Sequence, residues 1–354
     1  LLAHKDIQVN ATDRSGNTVL HLATKHQIVD AMKLLIAHQD IQVNIVNQRG
    51  EPALCLALKH GNINAIKVLL AHKDIQVNVL NQCGNTALHL AAKHQIIDAI
   101  KVLLAHKDIQ VNALNQFGNT TLHLAAKHQI IDAIEVLLAH KDIQVNATNV
   151  YKDTALHLAA KHQSPNVIKV LLAHKDIQVN ATNIYGDTAL HLATKHQSFN
   201  VIKVLLAHKD IQVNVTNRSE KTALLLVVAK GSINTLEMLL AHKDIQVNGA
   251  GHLGNTALHV AVKCQNINAI QVLLAHKDIE LNIADAYGIT ALHLAVDKNA
   301  IEVVRLLLRQ NSININARVG YAWSDLRNKT ALELALHRGY HEIADLLVAH
   351  GAVV

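Results

Sequence analysis

The chain has 354 residues, half of them apolar but only 2% aromatic, with a formal net charge of +6 from 33 Lys and Arg against 27 Asp and Glu. Such a core must be built from Leu, Ile, Val and Ala, and so mild a charge speaks against nucleic acid as a partner. No apolar run approaches the roughly 18 residues of a membrane span, and no secretory signal is visible.

The string HKDIQVN begins at His4 and returns at His72, His106, His140, His174, His208 and His242, with near copies at His38 and His276. Its closing asparagine marks a constant step of 34 residues, from Asn10 and Asn44 through Asn78 and Asn112 to Asn316. A fixed period of this size means a repeat array, in which each unit buries its apolar face against its neighbours. The reading is one array over residues 1–354: a partial unit over 1–10, nine units of 34 over 11–316, and a C-terminal unit over 317–354. The chain begins inside a repeat and without Met, as a fragment would.

Within one unit, Asn81 to Asn112, Asn81-Gln82-Cys83-Gly84 has the residues a type I turn prefers. Thr86 follows as a helix N-cap, and His89 stands where it can reach back to it. Leu88, Leu90 and Ala91 predict a short first helix; Ile97, Ile100, Leu103 and Leu104 predict a second at helical spacing. In the fifth unit Ser164 reads as the cap of that second helix and Pro165 as its first residue. Ile109 and Val111 then alternate with polar residues in an extended stem. In HKDIQVN itself, His and Lys suit a helix C-terminus, and Asp108 is expected to bond the local backbone. The string therefore reads as a joint.

Irregularities follow in order. The second unit has Pro52 and Cys55 where others have Thr and His. The fifth has Lys152 for Gly, and the seventh has Glu220 for Gly and Leu225 for His. These are candidate soft points. Between Asn316 and Thr330 the tip is lengthened and carries Tyr321, Trp323 and Arg327, a candidate contact loop. The final unit is more polar, as a cap should be.

GNTALHLAAKHQ, followed by a second helix ending in Leu-Leu and a VNA stem, resembles the ankyrin repeat, over the whole chain. The resemblance implies an all-α solenoid of stacked helix-turn-helix repeats, with β-turn or hairpin tips on one edge and first helices lining a concave face. Its function would be protein–protein recognition. The near identity of units is similar in style to ankyrin proteins of protists and of intracellular bacteria, which would place the chain in cytosol or host cytosol.

Three classes of candidate residue remain. The histidines of the TALH motif, His21, His89, His123, His157, His191, His259 and His293, read as structural, because neither five residues along a helix nor 8–10 Å between helices, about the usual packing distance, converges on one ion. Cys55, Cys83 and Cys264 are odd in number and lack CxxC spacing, so they read as free thiols. No nucleophile, phosphate-binding or zinc-protease motif is present, so no enzyme, metal or cofactor is expected. A second class lies at the end of the first helix, where Lys93, His94, Lys127, His128, Lys161, His162, Lys195 and His196 form a strip that would attract acidic ligands, more so at low pH. The third class is the tips. Phe117, Tyr151, Tyr185, Tyr287 and Tyr321 share the register before the turn glycine or its equivalent, with Trp323 close by and Val150, Ile184 and Leu253 adding apolar bulk. Aromatic anchors of this kind dominate interface energy. The expected protein is a monomeric scaffold that binds a protein partner through tips and first helices. Two other readings are a recognition arm of a larger enzyme or host-directed effector, and a pH-sensitive binder of acidic ligands.

Overall fold

The computed structural model describes residues 7–320 and 327–354. Among them are twenty α-helices in ten pairs and no strand. Two isolated bridges, Thr12 to Thr18 and Ala284 to Thr290, are the only β pairing among these residues. The chain forms two compact units, one ending at Asn183 and the other beginning at Ile184.

One repeat shows how the sequence produces the pair. The first helix runs Ala87–Lys93 and the second Ile97–Leu104. Thr86 is extended, and its Oγ accepts from the His89 backbone N–H, while the Thr86 N–H donates to His89 Nδ1. Both bonds pair helix N–H groups that have no partner within the helix. The helix ends at His94, and Gln95 takes a left-handed φ of 58° to reverse the chain. Only a few residues are left for each helix, too few for stability in isolation. Packing supplies it: Leu88, Ala91 and Ala92 of the first helix and Ala99, Ile100 and Leu103 of the second are fully buried. Each large apolar side chain so buried contributes about 1.5–3 kcal/mol. In the first unit, Thr121–Lys127 packs on Ala155–Lys161, and Ile131–Leu138 on Pro165–Leu172, so first helices stack on first helices and second on second.

Two local expectations change. Ser164 stands at the N-cap and Pro165 at the first helical position, but the Ser164 hydroxyl makes no cap bond. Asn62 and Asn266 do cap their second helices, through Oδ1 to the N–H of Ala65 and Ala269. An amide on a longer arm reaches the first turn where this serine does not. Asp108 likewise is not a backbone clamp. Its carboxylate is exposed, and its own N–H donates to His106 Nδ1. The closing asparagine of the string does that work, across repeats: Asn78 Nδ2 donates to the Asp108 carbonyl at 2.7 Å, and Asn78 Oδ1 accepts from the Gln110 N–H at 3.0 Å. The pattern recurs at Asn10, Asn44, Asn112, Asn214, Asn248 and Asn282.

Candidate protein-binding surface

The tips are built by asparagine. Asn115 Oδ1 accepts from the N–H of Phe117 (2.9 Å) and of Asn119 (3.1 Å), and the Gly118 N–H closes the turn onto the Asn115 carbonyl. Gly118 has a φ of 69°, and a Cβ there would lie 2.9 Å from the Val150 nitrogen. Glycine therefore permits both the turn and the close approach of the next tip. Neighbouring tips are linked through side-chain amides, Asn115 Nδ2 to Asn85 Oδ1 and Asn149 Nδ2 to Asn119 Oδ1. They are also linked through backbone, Val150 N–H to the Phe117 carbonyl.

Because amides and main chain join the tips, the aromatic rings are left outside: Phe117 is 54% exposed and Tyr151 51%, with Val150 beside them at 57%. In the second unit Tyr185 is 59% exposed, and its carbonyl accepts from the Arg218 N–H in the same manner. Ile184 and Tyr287 are half-buried, and Leu253 is exposed on a left-handed turn. Tyr321 and Trp323 lie outside the described residues. At the base of that longer tip, Arg318 pairs with Glu333 and Arg327 is exposed.

Lys93, His94, Lys127, His128 and Lys161 are exposed at the ends of their helices; His162 is half-buried. Lys195 is not a free cation: it is paired with the buried carboxylate of Asp187. In the second repeat Lys59 is paired in the same way with buried Glu51. His94 and His128 are both held below the ordinary histidine range, by partial burial and then by the field of Lys93 and Lys59 on one, Lys127 and Lys93 on the other. His94 and His128 therefore gain charge only at lower pH than composition suggests.

In the first two repeats the tip and the first-helix ends face one another. A cavity of about 520 Å³ between the first two repeats is lined by Gln48 and Arg49 from the tip and by Lys25, Lys59 and His60 from the first helices, with Leu56 also in its wall. Arg49 holds the register of Phe117 and Tyr151, and Lys59 that of Lys93, Lys127 and Lys161. In these two repeats the tip register and the lysine register thus line one cavity.

The sequence reading missed another exposed row: Val46, Leu80 and Leu114, at 34-residue spacing just before the tip asparagine, each about half exposed. Their periodic apolar character was the available signal. It is hidden beside the buried Val43, Val77 and Val111, which have the same period.

The TALH histidines cap their helices, and His21, His89, His123, His191 and His259 also tie repeats together. Nδ1 accepts the Thr N–H, so the ring proton sits on Nε2, which donates to the next repeat: His21 to the Glu51 carbonyl, His89 to Asn119, His123 to Asp153, His191 to Lys221 and His259 to Ile289. Burial pushes the pKa of each of these five below its ordinary value. Among the described residues no group of His, Cys, Asp and Glu is placed to hold a metal ion. Cys55 is buried, and burial drives its thiol pKa up to about 12; Cys83 and Cys264 are exposed. No helix among the described residues is long and apolar enough to cross a membrane.

Comparison with known proteins agrees with this geometry. No curated protein matches the chain significantly. Among solved structures, the fold is similar to that of the ankyrin repeat domain of Bcl-3, described as a unique member of the IkappaB protein family. The TM-score is 0.60 and the identity 24%, over 65% of this chain and 100% of that one. The family model for ankyrin repeats (three copies) matches residues 1–81, 73–149, 145–217, 210–285 and 280–354. The chain belongs to the ankyrin-repeat family, whose fold serves as a scaffold for protein–protein interaction.

Proposed function

We propose that this chain is a non-catalytic scaffold that binds a protein partner in the groove between its tips and first helices. Phe117, Val150 and Tyr151 serve as anchors in the first unit and Tyr185 in the second. One observation carries the reading: in a protein with eight aromatic residues, the rings of Phe117, Tyr151 and Tyr185 stand more than half exposed on hydrogen-bonded turns. Exposed rings on a fixed backbone lose little freedom on binding, which is why such residues dominate interface energy. Lys93, Lys127 and Lys161 with their neighbouring histidines supply charge to the groove. The protein works as a monomer in cytosol, without cofactor, membrane or nucleic acid, and the same surface would serve equally as the recognition arm of a larger protein.

The test is a pull-down or proximity-labelling comparison between the wild type and a variant with Phe117, Tyr151 and Tyr185 changed to Ala. The variant should keep its helical circular dichroism and lose its partner. Retention of the partner by a folded triple variant, or unfolding of the variant, refutes the assignment of the tips.

A further inference from the structure

We propose that the groove of the first unit takes an extended acidic segment of a protein partner, in polyproline-II conformation, with a carboxylate at every third residue set against Lys93, Lys127 and Lys161. This rests on the protein-binding reading above and gives the partner's chemistry.

Charge selects the repeats. Among the described residues, Lys93, Lys127 and Lys161 have no carboxylate at ion-pair distance, whereas Lys59 is bound to Glu51 and, in the second unit, Lys195 to Asp187. The difference is written eight residues upstream of each lysine. Glu51 and Asp187 stand there where the lysine is paired; Asn85 and Asn119 stand there before Lys93 and Lys127. Asp153 holds that place before Lys161. Its carboxylate accepts from Asn183 Nδ2 at 2.8 Å, and a carboxylate in the register of Glu51 and Asp187 makes Lys161 the weakest of the three anchors. The same two repeats that leave their lysines free are followed by the exposed Phe117, Val150 and Tyr151 on the tip side.

Spacing selects the conformation. Stacked helices lie about 8–10 Å apart, so the three lysines recur at that interval. A polyproline-II chain rises about 3.1 Å per residue with three residues per turn, so every third side chain falls on one face about 9.3 Å from the last. A β-strand fails: its same-face residues come at about 6.8 or 13.6 Å. Seven residues of α-helix rise about 10.5 Å, so a helix brings one carboxylate to the lysine row per two turns, against one per turn of a polyproline-II chain. The two residues between successive carboxylates turn toward Phe117 and Tyr151, and aromatic faces receive proline or aliphatic side chains in this conformation.

The experiment uses fluorescein-labelled peptides and the full chain, read by fluorescence anisotropy. The matched peptide is GEPPEPPEPPG. A scrambled one, GEEEPPPPPPG, keeps the composition, a third carries glutamates every seventh residue in a helical background, and a fourth probe is a short oligothymidylate. The matched peptide should bind about tenfold more tightly than the scrambled one at low salt, and weaken as salt is raised. Lys93→Gln and Lys127→Gln should each weaken it more than Lys161→Gln, with circular dichroism unchanged. Equal binding of matched and scrambled peptides overturns the register. Tightest binding by the helical peptide or the oligonucleotide overturns the occupant. If no peptide binds while the alanine variant still loses its partner in pull-down, the acidic segment is wrong and the scaffold reading stands. If Phe117→Ala with Tyr151→Ala changes neither assay, the scaffold reading itself fails.

Discussion

Acid should unfold this protein through its capping histidines. In the first unit His21, His89 and His123 are buried, and burial holds each below the ordinary histidine pKa of 6.5. Their bonds require the neutral ring, because Nδ1 accepts the Thr N–H and has no room for a proton of its own. The unfolded chain has no such constraint and takes up protons as pH falls through about 6.5. The folded state therefore binds fewer protons, and the histidines' contribution is complete above that pH and lost as pH falls toward the lowered folded value. While a ring stays neutral in the fold and charged in the unfolded chain, the loss is about 1.4 kcal/mol per pH unit, or about 4 kcal/mol per unit for the three together. That is a large share of the stability of an ordinary domain. Urea unfolding followed by circular dichroism at about pH 7.5 and 5.5 measures it. The midpoint should fall steeply below about pH 6.5, and His94→Asn with His128→Asn should leave the slope nearly intact, because those rings are exposed and solvent screens them. A midpoint constant across that interval, or a loss that begins well above pH 7, refutes the assigned tautomer.

Four further substitutions test the joints. Asn112→Ala removes bonds to the Asp142 carbonyl (2.6 Å) and the Gln144 N–H (2.9 Å), and should cost about 1–2 kcal/mol in urea unfolding, whereas Asp108→Ala should stay within about 0.5; the reverse order would return the clamp to the aspartate. Gln95 has a φ of 58°, so Gln95→Gly should raise the urea midpoint by about 0.5–1 kcal/mol of stability, and a loss would mean the glutamine side chain is making a contact of its own. Gly251 stands where other repeats have Asn or Asp, and a Cβ there would lie 2.5 Å from both the Glu220 carbonyl and Leu225 Cδ1, so Gly251→Ala should cost about 1–3 kcal/mol; a neutral thermal shift would show that the seventh repeat yields easily.

Much of this molecule is legible in its sequence because the period repeats each local signal. Thr86 and His89 announce a reciprocal cap, Asn81 to Gly84 a turn, and Ile100 and Leu103 a buried helix face; the structure has all three, with Ile97 and Leu104 half-buried at its edge. The family resemblance rests on those residues and holds along the whole chain. What the sequence concealed are partnerships between repeats. Asn78 looks like the end of a stem until its amide is seen on the backbone of Asp108. Leu225 and Gly251 look like two separate irregularities, yet the leucine occupies space that a side chain at 251 would need. Lys195 reads as one rung of a ladder and is neutralised by Asp187. Local patterning specifies the helix pair; pairing at a separation near 30 residues has no signature in any one repeat.

The same distinction bears on where recognition resides. HKDIQVN stays nearly constant because its asparagine must meet a backbone carbonyl and N–H of the next copy, and those groups recur in every copy. Selection on such a joint is uniform along the array. The residue eight places before the first-helix lysine varies more: before Lys25, Lys59, Lys93, Lys127, Lys161, Lys195 and Lys263 it is Asn, Glu or Asp, and where it is Glu51 or Asp187 it pairs the downstream lysine with a buried carboxylate. Asn85, Asn119 and Asp153 accept from the asparagine of the next tip. The identity of this residue therefore bears on the charge of the groove without touching the cap or the clamp. The tip register, three residues before the capping threonine, varies as freely, from Arg49 and Cys83 to Phe117 and Tyr151. On the proposed reading, specificity in this array rests on two variable positions per repeat, set on a joint that holds them in fixed register.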